Sequence, residues 1–133
     1  PRSMQRDPRY HDVVEEVIAG LDAAITRACA AGVAREAIVV DPGIGFGKTL
    51  AHNCALLRAL PRIGAALARP VLVGLSRKRL ITGLLGADVP AAERDALSHL
   101  LHVQIAGHCA LLRVHDVAGG RRALRMGLWR PDL

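Results

Sequence analysis

Apolar residues recur at helical spacing near the start of the chain, where Val14, Val17, Ile18, Leu21, Ile25 and Ala28 form one stripe. Asp7 is placed to cap this helix, Pro8 suits its first position, and Gly32 suits its stop. A β-rich run over residues 37–41 (AIVVD) follows, and then a glycine-rich stretch over residues 42–49. Helical spacing returns at Leu56, Leu57, Leu60, Ile63 and Leu67, with a bend or break expected at Pro61. Residues 70–75 (PVLVGL) read as a second buried strand. Helical pattern resumes near Arg79, breaks at Gly86, restarts after Pro90 and runs to about Gly107. Residues 110–115 (ALLRVH) predict a third strand, and residues 118–129 a last helix that Asp116 can cap.

Strands separated by helices at intervals of roughly 35 residues imply consecutive βαβ units and a parallel sheet. The strands are near-continuously apolar, as expected when both faces are covered. Three strands do not close a barrel, so the pattern leaves either a small open α/β domain or part of a barrel. Residues 1–133 read as one domain, with no low-complexity segment and no linker.

Half of the residues are hydrophobic and 23% are charged, the balance of a folded globular chain. No apolar run reaches the roughly 20 residues that cross a bilayer, so no membrane partner is expected. The chain opens at Pro1 without a signal-peptide pattern or an initiating Met, and a fragment is the expectation. The net charge of +6 raises the question of nucleic acid, but one Phe, one Tyr and one Trp offer little for bases to stack on. A solvated basic surface, or recognition of a small anion, fits better. Cys29, Cys54 and Cys109 are odd in number, far apart and set among apolar residues. They are expected to be buried free thiols in a reducing compartment, most simply the cytoplasm.

Three loops after the strands can carry chemistry. In the first, Asp41-Pro-Gly-Ile-Gly-Phe-Gly-Lys48-Thr49, the P-loop pattern fails because Pro42 stands where its first glycine must be. What remains is a carboxylate at a strand's C-terminal end, followed by glycines that allow close backbone approach to a ligand. A tight turn closed by Asp41 on its own loop is the alternative. Phe46, the chain's one Phe, sits in this loop, where it can pack on a planar ligand or fold back over apolar side chains. The second loop is Gly74-Leu75-Ser76-Arg77-Lys78. Lys48 and Lys78 are the chain's two lysines and both follow strands, although a snorkelling lysine is an equal reading for Lys78. In the third, Arg113 and His115 fall on one side of the third strand at period two. A partly desolvated Arg there would need an anion, with an internal ion pair to Asp41 or Asp116 as the other solution. His99, His102 and His108 lack a completing carboxylate, and no metal site is expected among them.

Taken together, DPGIGFGK, GLSRK and RVHDV, in that order at the ends of successive strands, resemble the dihydropteroate synthase family. Pro1-Arg2-Ser3-Met4-Gln5 is similar to a stretch that follows the family's fifth strand. The resemblance covers almost the whole chain. It implies the C-terminal half of a (β/α)8 TIM barrel, with three parallel strands, the sixth to the eighth, and their crossover helices. It also implies a transferase of folate biosynthesis, condensing 6-hydroxymethyl-7,8-dihydropterin pyrophosphate with p-aminobenzoate and releasing pyrophosphate with the help of Mg²⁺. By resemblance, Asp41 reads the pterin, and Gly45, Phe46 and Ser76 lie at the substrates. Lys78 reaches both substrates, and Arg113 and His115 hold the pyrophosphate. Lys78, Arg113 and His115 are the expected catalytic residues.

The metal ligands, and further pterin-binding residues, are expected in the family's first half, which this chain lacks. The chain alone is therefore expected to be inactive. Helices after strands six to eight are expected to pair two copies into a homodimer. A non-catalytic half-barrel, or the pterin-binding domain of a methyltransferase, are the alternatives; the latter is disfavoured because its methyl donor carries no pyrophosphate for the basic pair.

Overall fold

The computed structural model describes residues 8–91 and 93–128. Helix α1 spans Val13–Ala30. Its cap is Asp12, whose Oδ1 accepts the backbone N–H groups of Val14 at 2.9 Å and Glu15 at 3.1 Å. Glu16 reaches back in return, its Oε1 accepting from the N–H groups of His11 and Asp12. This corrects the expected start. Pro8 precedes the helix, and Asp7 lies outside the described residues. Asp12 wins because its carboxylate satisfies orphan N–H groups of the first turn while Glu16 locks the entry from the other side.

The break expected at Pro61 is present. Helix α2 (Leu50–Arg58) and helix α3 (Leu60–Leu67) are separated at Ala59, as a proline early in a helix demands. Strand β1 is Leu72–Val73, helix α4 is Leu80–Leu85, helix α5 is Arg94–Ile105, strand β2 is Leu111–Leu112 and helix α6 is Val117–Gly127. Asp116 caps α6 as expected, accepting from Gly119 N–H at 2.9 Å. Trp129, the expected end of this helix, lies outside the described residues.

Strands β1 and β2 pair in parallel, with Leu72 opposite Leu111 and Val73 opposite Leu112. The run 37–41 is not a regular strand. Its start is the last residue of a 3₁₀ turn over Arg35–Ala37, and only Val40 meets the sheet, by a single parallel bridge to Val71. Val40 donates to Pro70 O at 3.0 Å and accepts from Leu72 N at 2.8 Å, so the run lies beside β1 on the side away from β2. Among the described residues the fold is thus α/β with a two-stranded parallel sheet and one bridged segment.

The helices form a continuous layer: α1 packs on α2 and α3, α2 on α4, α4 on α5, and α5 on α6. Under it lie Leu56, Leu60, Ile63, Leu67, Val73 and Leu75, each essentially without solvent exposure. Ile44, from the glycine-rich loop, is equally buried and ties that loop to the core. The two faces of the sheet are not equally covered, which departs from the expectation of strands buried on both sides. Val71, Val73 and Leu75 are buried, whereas Leu72 is half-buried and Leu111 is 45% exposed. Alternation then carries the same open face on through Arg113 and His115. The three cysteines are free and half-buried rather than buried. Among the described residues no helix is long and apolar enough to cross a membrane.

Candidate active site

The C-terminal ends of the Val40 segment, β1 and β2 bring the three loops together. The first is folded on two side chains. Asp41 Oδ1 accepts from Gly43 N–H at 2.8 Å, closing a tight turn. Asn53, buried on α2, takes the N–H of Gly45 on its Oδ1 at 2.7 Å and donates from Nδ2 to Thr49 O at 2.7 Å. Lys48 lies against the same loop, donating to Gly43 O and Phe46 O, both at 3.1 Å. Asn53 carries no motif in the sequence. Its signal is a polar residue one step from the helix's buried stripe, and only the loop above it explains the choice.

Lys78 crosses from the second loop to the first. Its ammonium donates to Ile44 O and sits 4.2 Å from the centroid of the Phe46 ring. It passes directly over Gly45, where a Cβ would lie 2.8 Å from Lys78 Cδ. Gly45 also holds φ at 80°, so glycine is required there twice over. Phe46 is 49% exposed, outside the core and stacked on a cation. Burial pushes the Lys78 ammonium below the ordinary lysine range; Asp41 opposes that shift, and Arg113 and Lys48 add to it. Lys48 is lowered in the same way, by burial first, with Asp41 opposing. A cleft of about 540 Å³ opens beside these groups, lined by Gly45, Phe46, Lys48, Leu50, Asn53 and Lys78 among others.

The register of β1 and β2, continued three residues, puts Arg113 opposite Gly74 and His115 opposite Ser76. The side chains follow that pairing. Arg113 lies over Gly74, where a Cβ would come within 2.9 Å of its Nε and Nη2, and its Nη2 donates to Asp41 Oδ2 at 3.1 Å. His115 meets Ser76 twice, through its backbone N–H at 3.3 Å and its ring Nδ1 at 3.0 Å from Oγ. Arg113 and His115 therefore share the open face of the sheet. The Arg113 side chain is 60% exposed, not partly desolvated as its setting in ALLRVH implied, and it is paired with Asp41. Among the described residues the sheet has no layer on that face to bury it.

Two residues of α5, Asp95 and Ser98, hold the second loop, and neither belongs to a motif. Arg77 has a left-handed backbone, with φ at 60°, a conformation unfavourable for a long side chain. Its guanidinium grips Asp95 in α5, with Nε 3.0 and 2.9 Å from the two carboxylate oxygens and Nη2 at 2.6 Å from Oδ2. Asp95 Oδ1 also accepts from Ser76 Oγ at 3.2 Å. The Arg77 hydrogen bonds come first among the causes that hold the Asp95 carboxyl below the usual carboxylate range. Arg77 N–H donates to the buried Ser98 Oγ at 3.3 Å.

The remaining histidines stand apart from this edge. His52 completes the cap of α2 with Thr49, and His11 is exposed beside α1. His99 and His102 pack with ring centroids 5.9 Å apart under α6, and His99 Nε2 lies 3.4 Å from Asp116 Oδ2. Among the described residues no three His, Cys, Asp or Glu side chains converge as a metal site would require.

An acid, a lysine and a basic pair are thus gathered around one parallel sheet edge, with the cleft on the Lys78 side. The chain belongs to the family of pterin binding enzymes, whose pattern matches residues 1–115. It is 41% identical over 125 residues to the dihydropteroate synthase of Neisseria meningitidis serogroup C, covering 94% of this chain and 44% of that protein. Among solved structures it is similar to the Thermus thermophilus dihydropteroate synthase in complex with 4-aminobenzoate. That match has 48% identity and a TM-score of 0.84, covering 96% of this chain and 49% of that one. It is likewise similar to the Xanthomonas albilineans dihydropteroate synthase in complex with 7,8-dihydropteroate. Here the identity is 46% and the TM-score 0.82, with coverage of 90% and 45%. The chain spans less than half the length of these relatives.

Proposed function

We propose that this chain is the C-terminal half of a dihydropteroate synthase barrel, contributing strands six to eight and half of the active site. The observation that carries the reading is the meeting of Asp41, Lys78, Arg113 and His115 at one sheet edge, in the order and spacing of the family's motifs. The open face bearing Leu111, Arg113 and His115 is what a sheet awaiting the rest of a barrel would leave.

In this reading Asp41 offers two carboxylate oxygens to the ring N–H and exocyclic amine of the pterin. Arg113 then leaves Asp41 for the pyrophosphate, joined by His115. Lys78, held on Ile44 O and over Phe46, lies between the pterin and p-aminobenzoate sites, with Phe46 and Ser76 nearby. No protein nucleophile is needed: the chain's residues hold the amine in line with the pterin methylene and stabilise the departing charge. Mg²⁺, when bound, would add charge stabilisation on the pyrophosphate, with ligands drawn from the other half of the barrel. Two copies would pair through the helices that follow strands six to eight. The free thiols favour a reducing compartment such as the cytoplasm.

The test is to mix the chain with the N-terminal half of a related synthase and follow pyrophosphate release from the two substrates. Turnover that is lost in Lys78→Ala is the expected result. Stable association of the halves without turnover would overturn the proposal.

A further inference from the structure

We infer that Asp95, acting through Ser76, fixes which nitrogen of His115 carries the proton, and so makes Nε2 the ring atom that meets an anion. The supply of donors and acceptors around Ser76 permits one arrangement. Asp95 is paired on both carboxylate oxygens by Arg77 and is ionised, so it can only accept. Ser76 Oγ, 3.2 Å away, must therefore commit its single hydrogen to Asp95. Its lone pairs face His115, which is 3.3 Å away through the backbone N–H and 3.0 Å away through ring Nδ1. A hydroxyl with its hydrogen already committed cannot donate to Nδ1. Nδ1 must be the donor, and the neutral ring is the Nδ1–H tautomer.

The consequence for function is directional. With Nδ1 locked on Ser76, proton uptake by His115 falls on Nε2, and the imidazolium offers its second N–H there. Asp95 thus touches no substrate in this arrangement and is a positioning residue. Its other partner, Arg77, holds the left-handed turn that places Ser76 and Lys78 on either side of it. One carboxylate on α5 therefore sets the loop after β1 and the ring after β2 together. The role assigned to Nε2 rests on the proposed anion site; the tautomer does not.

Long-range ¹H–¹⁵N NMR of the His115 ring tests this in the 133-residue chain without any ligand, at about pH 8, where an ordinary histidine is neutral. The expected spectrum has a protonated Nδ1 and a pyridine-like Nε2. Asp95→Ala, which does not touch the ring, should free the Ser76 hydrogen and shift the ring toward Nε2–H; Ser76→Ala should do the same. An Nε2–H tautomer in the wild-type chain, or an Asp95→Ala ring that stays Nδ1–H, would overturn the inference. A variant that fails to fold leaves the wild-type spectrum to decide. Titration with inorganic pyrophosphate then addresses the anion site separately. Nε2 should be the nitrogen whose shift moves, from pyridine-like in the free chain toward protonated in the complex, and in Asp95→Ala, where Nε2 already carries the hydrogen, that change should be largely lost. Pyrophosphate that leaves His115 unmoved would refute the anion site while the tautomer stands.

Discussion

Arg113 reaches over the backbone of Gly74 to Asp41, placing the base that follows β2 3.1 Å from the acid that precedes the glycine-rich loop. The two groups assigned to opposite ends of one substrate neutralise each other. An exposed pair of this kind is worth about 0–1 kcal/mol, so a ligand carrying both a donor edge and an anion can separate them at little cost. Asp41→Asn should therefore leave overall stability within ~1 kcal/mol and tighten inorganic pyrophosphate binding by up to about fivefold. Arg113→Ala should weaken it. Calorimetry on the two variants checks both signs. In the completed barrel, Asp41→Ala should lose pterin affinity, because each buried donor left unpaired costs roughly 1–3 kcal/mol.

Gly45 separates backbone strain from ligand geometry. Gly45→Ala and Gly86→Ala both place a Cβ on a left-handed residue, at φ of 80° and 67°. Each should lower stability in urea by about 1–2 kcal/mol. Only at residue 45 does the new methyl meet Lys78, whereas nothing lies within 4 Å at residue 86. In the completed barrel, p-aminobenzoate affinity should therefore fall in the first variant and hold in the second.

His102 supplies a pH dependence of folding. Burial first, and the neighbouring His99 second, push its pKa down from 6.5 to about 4. Between those values the unfolded chain takes up a proton that the folded chain refuses, so stability is full above about 6.5 and falls as pH drops toward 4. The thermal midpoint of the wild-type chain should decline across that window. His102→Leu should flatten the decline, and a wild-type slope persisting unchanged in the variant would assign it to other groups.

The open sheet face sets the behaviour of the chain in solution. Val39 and Leu111, on the outer strand-like segments at either side of β1, are each 45% exposed, and both sheet edges are unpaired among the described residues. Such edges recruit other strands. The purified chain should associate, and should release no pyrophosphate from the pterin substrate by itself. Size-exclusion chromatography with light scattering, followed by the assay, checks both. A monomer that turns over unaided would contradict the proposed half-site.

How much of this is legible in the sequence depends on how local the cause is. The order of the helices and of the two paired strands, the break before Pro61 and the Asp116 cap all follow from residues within a turn of each other, and they are present. The start of α1 differs from expectation because Asp7-Pro8 is a good helix opening on paper. Asp12 and Glu16 close a reciprocal cap that only the folded geometry selects. Residues 37–41 have strand composition, yet they bridge the sheet only at Val40, because Arg35–Ala37 coils the approach. Asp41, Lys78, Arg113 and His115 can be picked out by their positions after strands. Asn53 and Asp95 cannot. Asp95 meets partners 18 and 19 residues away, and Asn53 anchors a glycine eight residues back, by packing that no spacing encodes.

Ile44 gives the glycine-rich loop its mechanical character. Although it is flanked by glycines, its side chain is wholly enclosed by the core, and its carbonyl receives the Lys78 ammonium. The loop cannot swing away without drawing a large aliphatic group into water, so its opening belongs to the same cooperative unit as the hydrophobic layer beneath it. It is an anvil rather than a lid. Amide hydrogens here should exchange with solvent nearly as slowly as those of β1.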